Sequence, residues 1–480
     1  MRCECLELRF PQVMIQHRVR TVARVQLISA MACALAFTAA AAQTEAAPAD
    51  PYPSTYRPGN GSFAIVGAMV LTGEGQEIAN ATVIVRNGRV AAVGAEVKLP
   101  PGVIAIDGRG KWVTPGIIDV HSHMGGLSTP VVAATESPAN EVSAPITSEA
   151  WVEHSIRTDD PSFARAREAG VTIVQVLPGS ANLFGGRSVV LKNVASATVE
   201  GMKMPGAPQG LKMACGENPA RIYGSMNRAP QTPMESVAMM RSAFLRAIEY
   251  QRKWTAYREV TAAGKKADEP VRDLQLDTLV GALDGEIRVN IHCYRADQMA
   301  QLINLSHEFG FKISIFHHAV EAYRIADLLV REGIGVAGFV YPSGGGGGKL
   351  ETHGTIPENG AFVTRAGGLF TVHSDYHLIL PNLSSDAGRL MALSNRMGWP
   401  VSRADAIRWL TLNPATLLGI DKETGSLAVG KAADIVLWNR DPLSIYGLPE
   451  QVFIDGAKVF DRALPMPADS DFGLGIYRRS

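Results

Sequence analysis

At 480 residues the chain is too long for one simple core and points to a large domain with an accessory one. Its 46 basic residues balance 46 acidic ones, so nothing in the charge calls for nucleic acid or an anionic membrane as partner. Three of the five cysteines (Cys3, Cys5 and Cys33) fall in a segment expected to be removed, which leaves no disulfide framework.

In chain order, Arg18, Arg20 and Arg24 precede an apolar run from Val25 to Ala42 that closes on Ala40, Ala41 and Ala42. Residues 1–42 therefore read as a signal peptide, with Met14 as an alternative start to Met1. The run is short for a membrane span, and the competing reading is an uncleaved anchor. The mature protein is expected to be exported, periplasmic or secreted, with no stable membrane span after processing. It would begin near Gln43 with a flexible tail over 43–60.

Residues 61–112 are β-rich, and Asn87-Gly88 between two alternating apolar runs is a strong hairpin signal. Short glycine-punctuated apolar runs return over 416–480, so both ends are expected to build one small β-sandwich. Between them, over 113–415, apolar runs alternate with helical stretches, which argues for a parallel sheet. The expected strands are Ile117–His121, Val171–Val176, Val189–Leu191, Leu211–Ala214, Arg288–Cys293, Lys312–His317, Val336–Tyr341 and Leu369–His373. The expected helices are Ser162–Ala169, Met234–Ala262, Leu274–Leu283, Ala296–Phe309, Tyr323–Glu332, Asp386–Met397 and Arg403–Leu412. Eight strands suit an α/β fold of the (β/α)8 TIM-barrel type, whose active site lies at the C-terminal strand ends. A doubly wound open sheet is the alternative. Cys215 and Cys293 sit in barrel strands and read as buried free thiols, able to bridge only if the fold brings their Cα atoms within about 7 Å.

The stretch VTPGIIDVHSHM carries the first chemistry. After the Pro115-Gly116 turn, a short buried strand puts Asp119, His121 and His123 on one face. Two same-side imidazoles can chelate one zinc-like ion, although an isolated pair of surface histidines reads equally well. Further ionisable residues close other strands: His292 in VNIHCYR, His317 and His318 in KISIFHH, and Asp375 in LFTVHSD, with His373 two positions earlier on the same face. Each histidine taken alone is more often a satisfied core residue than a ligand. His317 and His318 must face opposite ways, and alternation does not choose between them.

PG-x-ID-x-H-x-H after a β-rich lead-in resembles the amidohydrolase superfamily, and most closely its secreted, imidazolonepropionase-like hydrolases. TLNPATLLGIDKETGSLAVGKAADIVLWN resembles that family's C-terminal hallmark. The resemblance runs from about Phe63 to Asp461 and implies a metal-dependent TIM barrel beside a composite β-sandwich. HAVEAY resembles H-x-x-E-x-Y, which selects His318 over His317. The implied ligands are His121, His123 and Asp375 for one divalent metal of the zinc kind and His292 and His318 for a second, giving one or two ions per chain. On the fourth strand the resemblance offers a carboxylated Lys212 as the anionic bridge, with Glu217 as the substitute; otherwise Lys212 is a barrel lysine paired with a carboxylate.

The implied reaction is hydrolysis of a carbon–nitrogen bond in an amide, peptide or cyclic amide, by a metal-activated hydroxide with Asp375 as proton shuttle. Arg221, Tyr223, Tyr294 and Arg295 are the expected substrate contacts, the competing reading being a rim salt bridge. Two alternatives stand beside this: a superfamily deaminase, and a metal-containing binding protein without turnover. In the deaminase an acid would be expected closer after His292 than Asp297. The glycine run from Ser343 lacks phosphate-loop spacing, GSANLFGGRS has no assigned role, and His353 and His377 read as supporting or solvated. A homo-oligomer is compatible with the sequence.

Overall fold

The computed structural model describes residues 50–129, 139–340, 349–376 and 379–464. The signal-peptide reading, most of the glycine run and His377 lie outside these. From Tyr52 onward the described residues form one compact unit. Among the described residues no helix is long and apolar enough to cross a membrane.

The N-terminal β-rich stretch supplies β1 (Phe63–Leu71), β2 (Glu77–Arg86), β3 (Arg89–Gly94), β4 (Ala105–Asp107) and β5 (Trp112–Pro115). Strands β2 and β3 form the expected hairpin, and Asn87 and Gly88 both take positive φ (51° and 75°), as the favoured two-residue turn requires.

The middle of the chain forms a second sheet in the order β6 (Ile117–Ser122), β7 (Val171–Val176), β8 (Phe184–Lys192), β9 (Gly210–Ala214), β10 (Arg288–Cys293), β11 (Ile313–His318), β12 (Gly335–Gly338) and β13 (Phe370–Val372). These strands are almost wholly buried, which is why they read as apolar runs without alternation. The Asp375 amide donates to the His121 carbonyl (2.9 Å) and draws the two outer strands together, so the sheet is nearly closed. Helices Pro161–Glu168, Leu274–Leu283, Ala296–Phe309, Ala326–Glu332, Asn359–Arg365 and Leu383–Arg396 fall between or after these strands. Their starts follow local chemistry. Asp160 caps the first, accepting from the Ser162 amide, with Pro161 at its first position, and Thr232 with Pro233 opens the long helix Pro233–Ala262 in the same way.

Strand β8 corrects the all-parallel expectation. It is longer than Val189–Leu191 and runs antiparallel to both neighbours. The link from Val176 to Phe184 falls short of the ten to twelve or so residues a parallel crossover needs, so the chain must turn straight back. The others keep the expected parallel pairing.

The C-terminal end returns as β14 (Ile435–Trp438), β15 (Pro449–Ile454) and β16 (Ala457–Asp461). Strand β14 pairs antiparallel with β5, so both ends of the chain build one eight-stranded sheet over a core that includes Ile65, Val83, Val113, Ile435 and Phe453. Lys192, at the end of β8, is buried between Asp434 (2.8 Å) and Asp455 (3.2 Å) and ties the barrel to this sheet.

Two further expectations change. The tail, read as flexible to Asn60, is anchored from Tyr52 onward. Its ring meets Trp151 edge-on, Ser54 Oγ donates to the Lys203 carbonyl (2.7 Å), the Thr55 amide donates to Glu200 (2.9 Å), and the Tyr56 hydroxyl donates to Asp455. Cys215 and Cys293 are a disulfide rather than free thiols, with Cα atoms 5.2 Å apart. Register explains it: Ala214 sits opposite His292 on adjacent parallel strands, so the next residue of each arrives at the same level.

Candidate metal centre

Strand β6 and the segment after β13 assemble the first half of the site. Asp119, fully buried, accepts from the amides of His121 (3.2 Å) and Ser374 (3.2 Å) and from the Ser374 hydroxyl. Burial pushes the Asp119 carboxyl up to about 7 against those hydrogen bonds. The same seam carries Asp375, in the left-handed region at φ 59°, across the ends of His121 and His123. A non-glycine residue held there is strained, and such strain is found where surrounding structure fixes a working side chain. Asp375 Oδ1 lies 3.2 Å from His121 Nε2 and 3.4 Å from His123 Nε2. His123 Nδ1 donates to the Leu177 carbonyl (2.8 Å), leaving its Nε2 as a lone pair facing Asp375.

Strands β9 to β13 supply the other half. His292 and His318 have ring centroids 4.5 Å apart, and His318 ends β11 at φ 65°. His373 stacks on His121 at 4.9 Å. Lys212, fully buried, brings Nζ to 3.5 Å from His121 Nε2. Burial drives the Lys212 ammonium down to about 7, with Asp375 only partly opposing. Burial also holds His121, His292 and His318 well below the usual imidazole range, and Lys212 adds to this for His121 and His292. Neutral imidazole is the metal-binding form. Burial alone would raise the Asp375 carboxyl, but His318 and His123 hold it well below its ordinary value.

The residues fit divalent metal. Buried polar atoms are normally paired, yet His292 Nδ1, His318 Nδ1 and both nitrogens of His373 have no hydrogen-bond partner. Ligand atoms of His121, His123 and Asp375 lie within 4.8 Å of one another, as do those of His121, His318 and His373. With metal–ligand bonds of about 2.0–2.1 Å in a tetrahedral site, neighbouring ligand atoms stand roughly 3.3 Å apart. The 3.2 and 3.4 Å separations at Asp375 match that spacing.

Not all expected residues gather here. The Glu217 carboxylate accepts from the amides of Leu350 (3.1 Å) and Glu351 (3.4 Å), so it ties down the segment around Leu350 and stays out of both ligand groups. Tyr223 is buried with its hydroxyl 2.6 Å from the Ala144 carbonyl and 2.9 Å from Asn182 Oδ1, and it does not line the cavity that Tyr294 faces. Arg295 forks the Asp297 carboxylate at 2.9 and 3.0 Å on the exposed rim. Arg221 is exposed, and its charge is felt at Tyr294 and Lys349. His353 is exposed.

Tyr294 does face the site. It lines a cavity of about 220 Å³ together with His123, Asn218, His292, His318 and Asp375. Sequence reasoning missed four other members. Lys349 donates to the Tyr294 hydroxyl (2.7 Å), Asn218 meets His292 Nε2 at 3.1 Å, and Gly179 and Ser180 bring the GSANLFGGRS loop to the cavity wall. His373 was placed on the face of Asp375, and that i, i+2 relation was the one available signal for it.

Comparison with known proteins agrees with this geometry. The model of the amidohydrolase family matches residues 361–462. The amidohydrolase tasK of Hapsidospora irregularis is 31% identical over 402 residues, covering 79% of this chain; the match spans only 40% of that protein's length. An imidazolonepropionase of Shewanella sp. (strain ANA-3) is 24% identical over 397 residues, 75% of this chain and 87% of its own. The crystal structure of an amidohydrolase from Thermotoga maritima MSB8 superposes with a TM-score of 0.75 at 32% identity, covering 83% of this chain and 100% of that one.

Proposed function

The chain belongs to the amidohydrolase family, metal-dependent hydrolases of carbon–nitrogen bonds, and from that premise we propose that it cleaves the amide or peptide bond of a small substrate bearing a free carboxylate. The observation that carries the reading is the meeting of two ligand groups at His121 beside buried Lys212. His121, His123 and Asp375 would hold one ion, zinc by their donor types. His318 and His373, which also gather at His121, would hold a second together with His292, whose ring lies 4.5 Å from that of His318. When bound, such ions polarise the scissile carbonyl and acidify water towards neutrality. The buried Lys212 amine would react with carbon dioxide, losing one proton to give a carbamate, an anion that would help hold the ions. Asp375 takes the proton of the attacking water and returns it to the departing nitrogen.

Lys349 and the Tyr294 hydroxyl stand across the cavity as donors for a carboxylate, which favours an N-acyl amino acid or a short peptide. Asp297 is engaged by Arg295 on the rim, which speaks against a deaminase. We read the terminal sheet, with its own core, as the composite β-sandwich, and the protein as exported, where a disulfide such as Cys215–Cys293 persists.

The test is elemental analysis of the protein from Gln43 onward beside Lys212→Ala, followed by a screen of N-acyl amino acids, peptides and their amides. About two metals per chain, falling on loss of Lys212, supports the bridged site. About one, indifferent to Lys212, means a mononuclear centre, and no metal under replete conditions ends the proposal.

A further inference from the structure

Beneath the ligands lies a buried polar chain that does not line the cavity around Tyr294. His121 Nδ1 faces His317 Nδ1 at 2.9 Å, His317 Nε2 faces Asn290 Oδ1 at 3.1 Å, and Asn290 Nδ2 donates to the Arg288 carbonyl at 3.1 Å. All three side chains are at most 1% exposed. The last contact orients the Asn290 amide, because a carbonyl accepts only from the NH2 side. Its Oδ1 must then accept, so His317 Nε2 carries hydrogen. A neutral imidazole has one N–H, which makes His317 Nδ1 an acceptor. Two nitrogens 2.9 Å apart cannot both bear hydrogens, so His121 Nδ1 is the donor.

We propose that His317 and Asn290 are positioning residues that fix His121 in the Nδ1–H tautomer and so present its Nε2 lone pair to the metal centre. This rests on reading His121 as a ligand. Two independent observations agree with it. Lys212 Nζ, a donor, approaches His121 Nε2 at 3.5 Å. Gly210 leaves the room the relay occupies: a Cβ there would come within 2.5 Å of Asn290 Nδ2. The relay also gives His317 a duty different from that of its neighbour. The two adjacent histidines of β11 serve one centre, His318 among the ligands and His317 behind them.

The test separates the relay from the site. Nitrogen-15 histidine spectra of the metal-free protein, with His121 assigned by its loss in His121→Gln, should show hydrogen on Nδ1. Zinc affinity by chelator competition should weaken about 10–100-fold in His317→Leu, the scale of removing a group that orients a ligand. His317→Asn puts an amide oxygen near the lost acceptor and should restore affinity to within a few-fold. Hydrogen on Nε2 of His121 in the wild type would overturn the relay. So would unaltered zinc affinity in a folded His317→Leu, or an equal loss in His317→Asn. Should the wild type show Nδ1–H but bind no zinc, the relay stands and the metal reading fails.

Discussion

Lys192 and Lys212 stand on neighbouring strands of one barrel and are both hidden from water, yet their surroundings are opposite. Lys192 lies towards the N-terminal end of the parallel strands, opposite Ile173, and Lys212 lies towards the other end, opposite Gly186 and Asn290. Burial alone pushes either ammonium to lose its proton. At Lys192 two carboxylates, Asp434 and Asp455, outweigh burial and raise the pKa, so the side chain is a permanent cation clamping barrel to terminal sheet. At Lys212 burial wins, because Asp375 is the sole carboxylate acting on it and is shared with histidines. The charge state of a buried lysine thus follows the carboxylates the fold supplies.

Exchanging each lysine for methionine, which keeps most of the volume, sharpens the contrast. Lys212→Met should lower turnover by about 10²–10³-fold, as when one charge-stabilising group leaves an active site, and leave the melting temperature nearly unchanged. Lys192→Met should do the reverse. It abandons Asp434 and Asp455 in the interior at a loss of about 3–5 kcal/mol in a denaturant titration, with metal content as in the wild type. If the two variants fell together in both assays, the distinction between the lysines would be lost.

Reduction of Cys215–Cys293 is expected to have a smaller effect, about 2–4 kcal/mol. The bridge joins β9 to β10 beside Lys212 and His292, so loss of stability should be accompanied by weaker metal retention, which Lys192→Met does not show. Alkylation and mass measurement of the unreduced chain should find both thiols protected.

The smallest effect expected is in pH. Carbon dioxide reacts with amine and not with ammonium, and the Lys212 ammonium is driven down to about 7. Zinc loading of the metal-free protein in bicarbonate should therefore rise as pH climbs through about 7. A loading curve flat from pH 6 to 8 would mean that Lys212 is not the bridge, and Lys212→Met should already give that flat curve.

Much of the site could be read along single strands. His121 and His123 share a face at i, i+2, His292 and Asp375 follow apolar runs, and each of these facts is local. Glu217 was plausible by the same local logic, since it follows a strand by a few residues. What removes it from the centre is a long-range contact: the amides of Leu350 and Glu351 take its carboxylate. Arg295 and Tyr223 are likewise engaged elsewhere, the first by Asp297 and the second by Ala144 and Asn182. The reversal of β8 was legible in principle, because the short link after Val176 forbids a crossover.

The sequence by itself determined the order of strands and helices, the β-rich character of both ends, and which histidines close which strands. These follow from period-two alternation, turn residues and apolar runs, all set within a dozen residues. Only the tertiary structure decided that Lys212 comes beside His121 while Glu217 is held by Leu350 and Glu351, that Cys215 and Cys293 are bridged, that Lys192 and Lys212 differ in their carboxylate neighbours, and that His317 lies behind His121. Each of those depends on strand register or on a distance between residues far apart in the chain, and no local pattern encodes either.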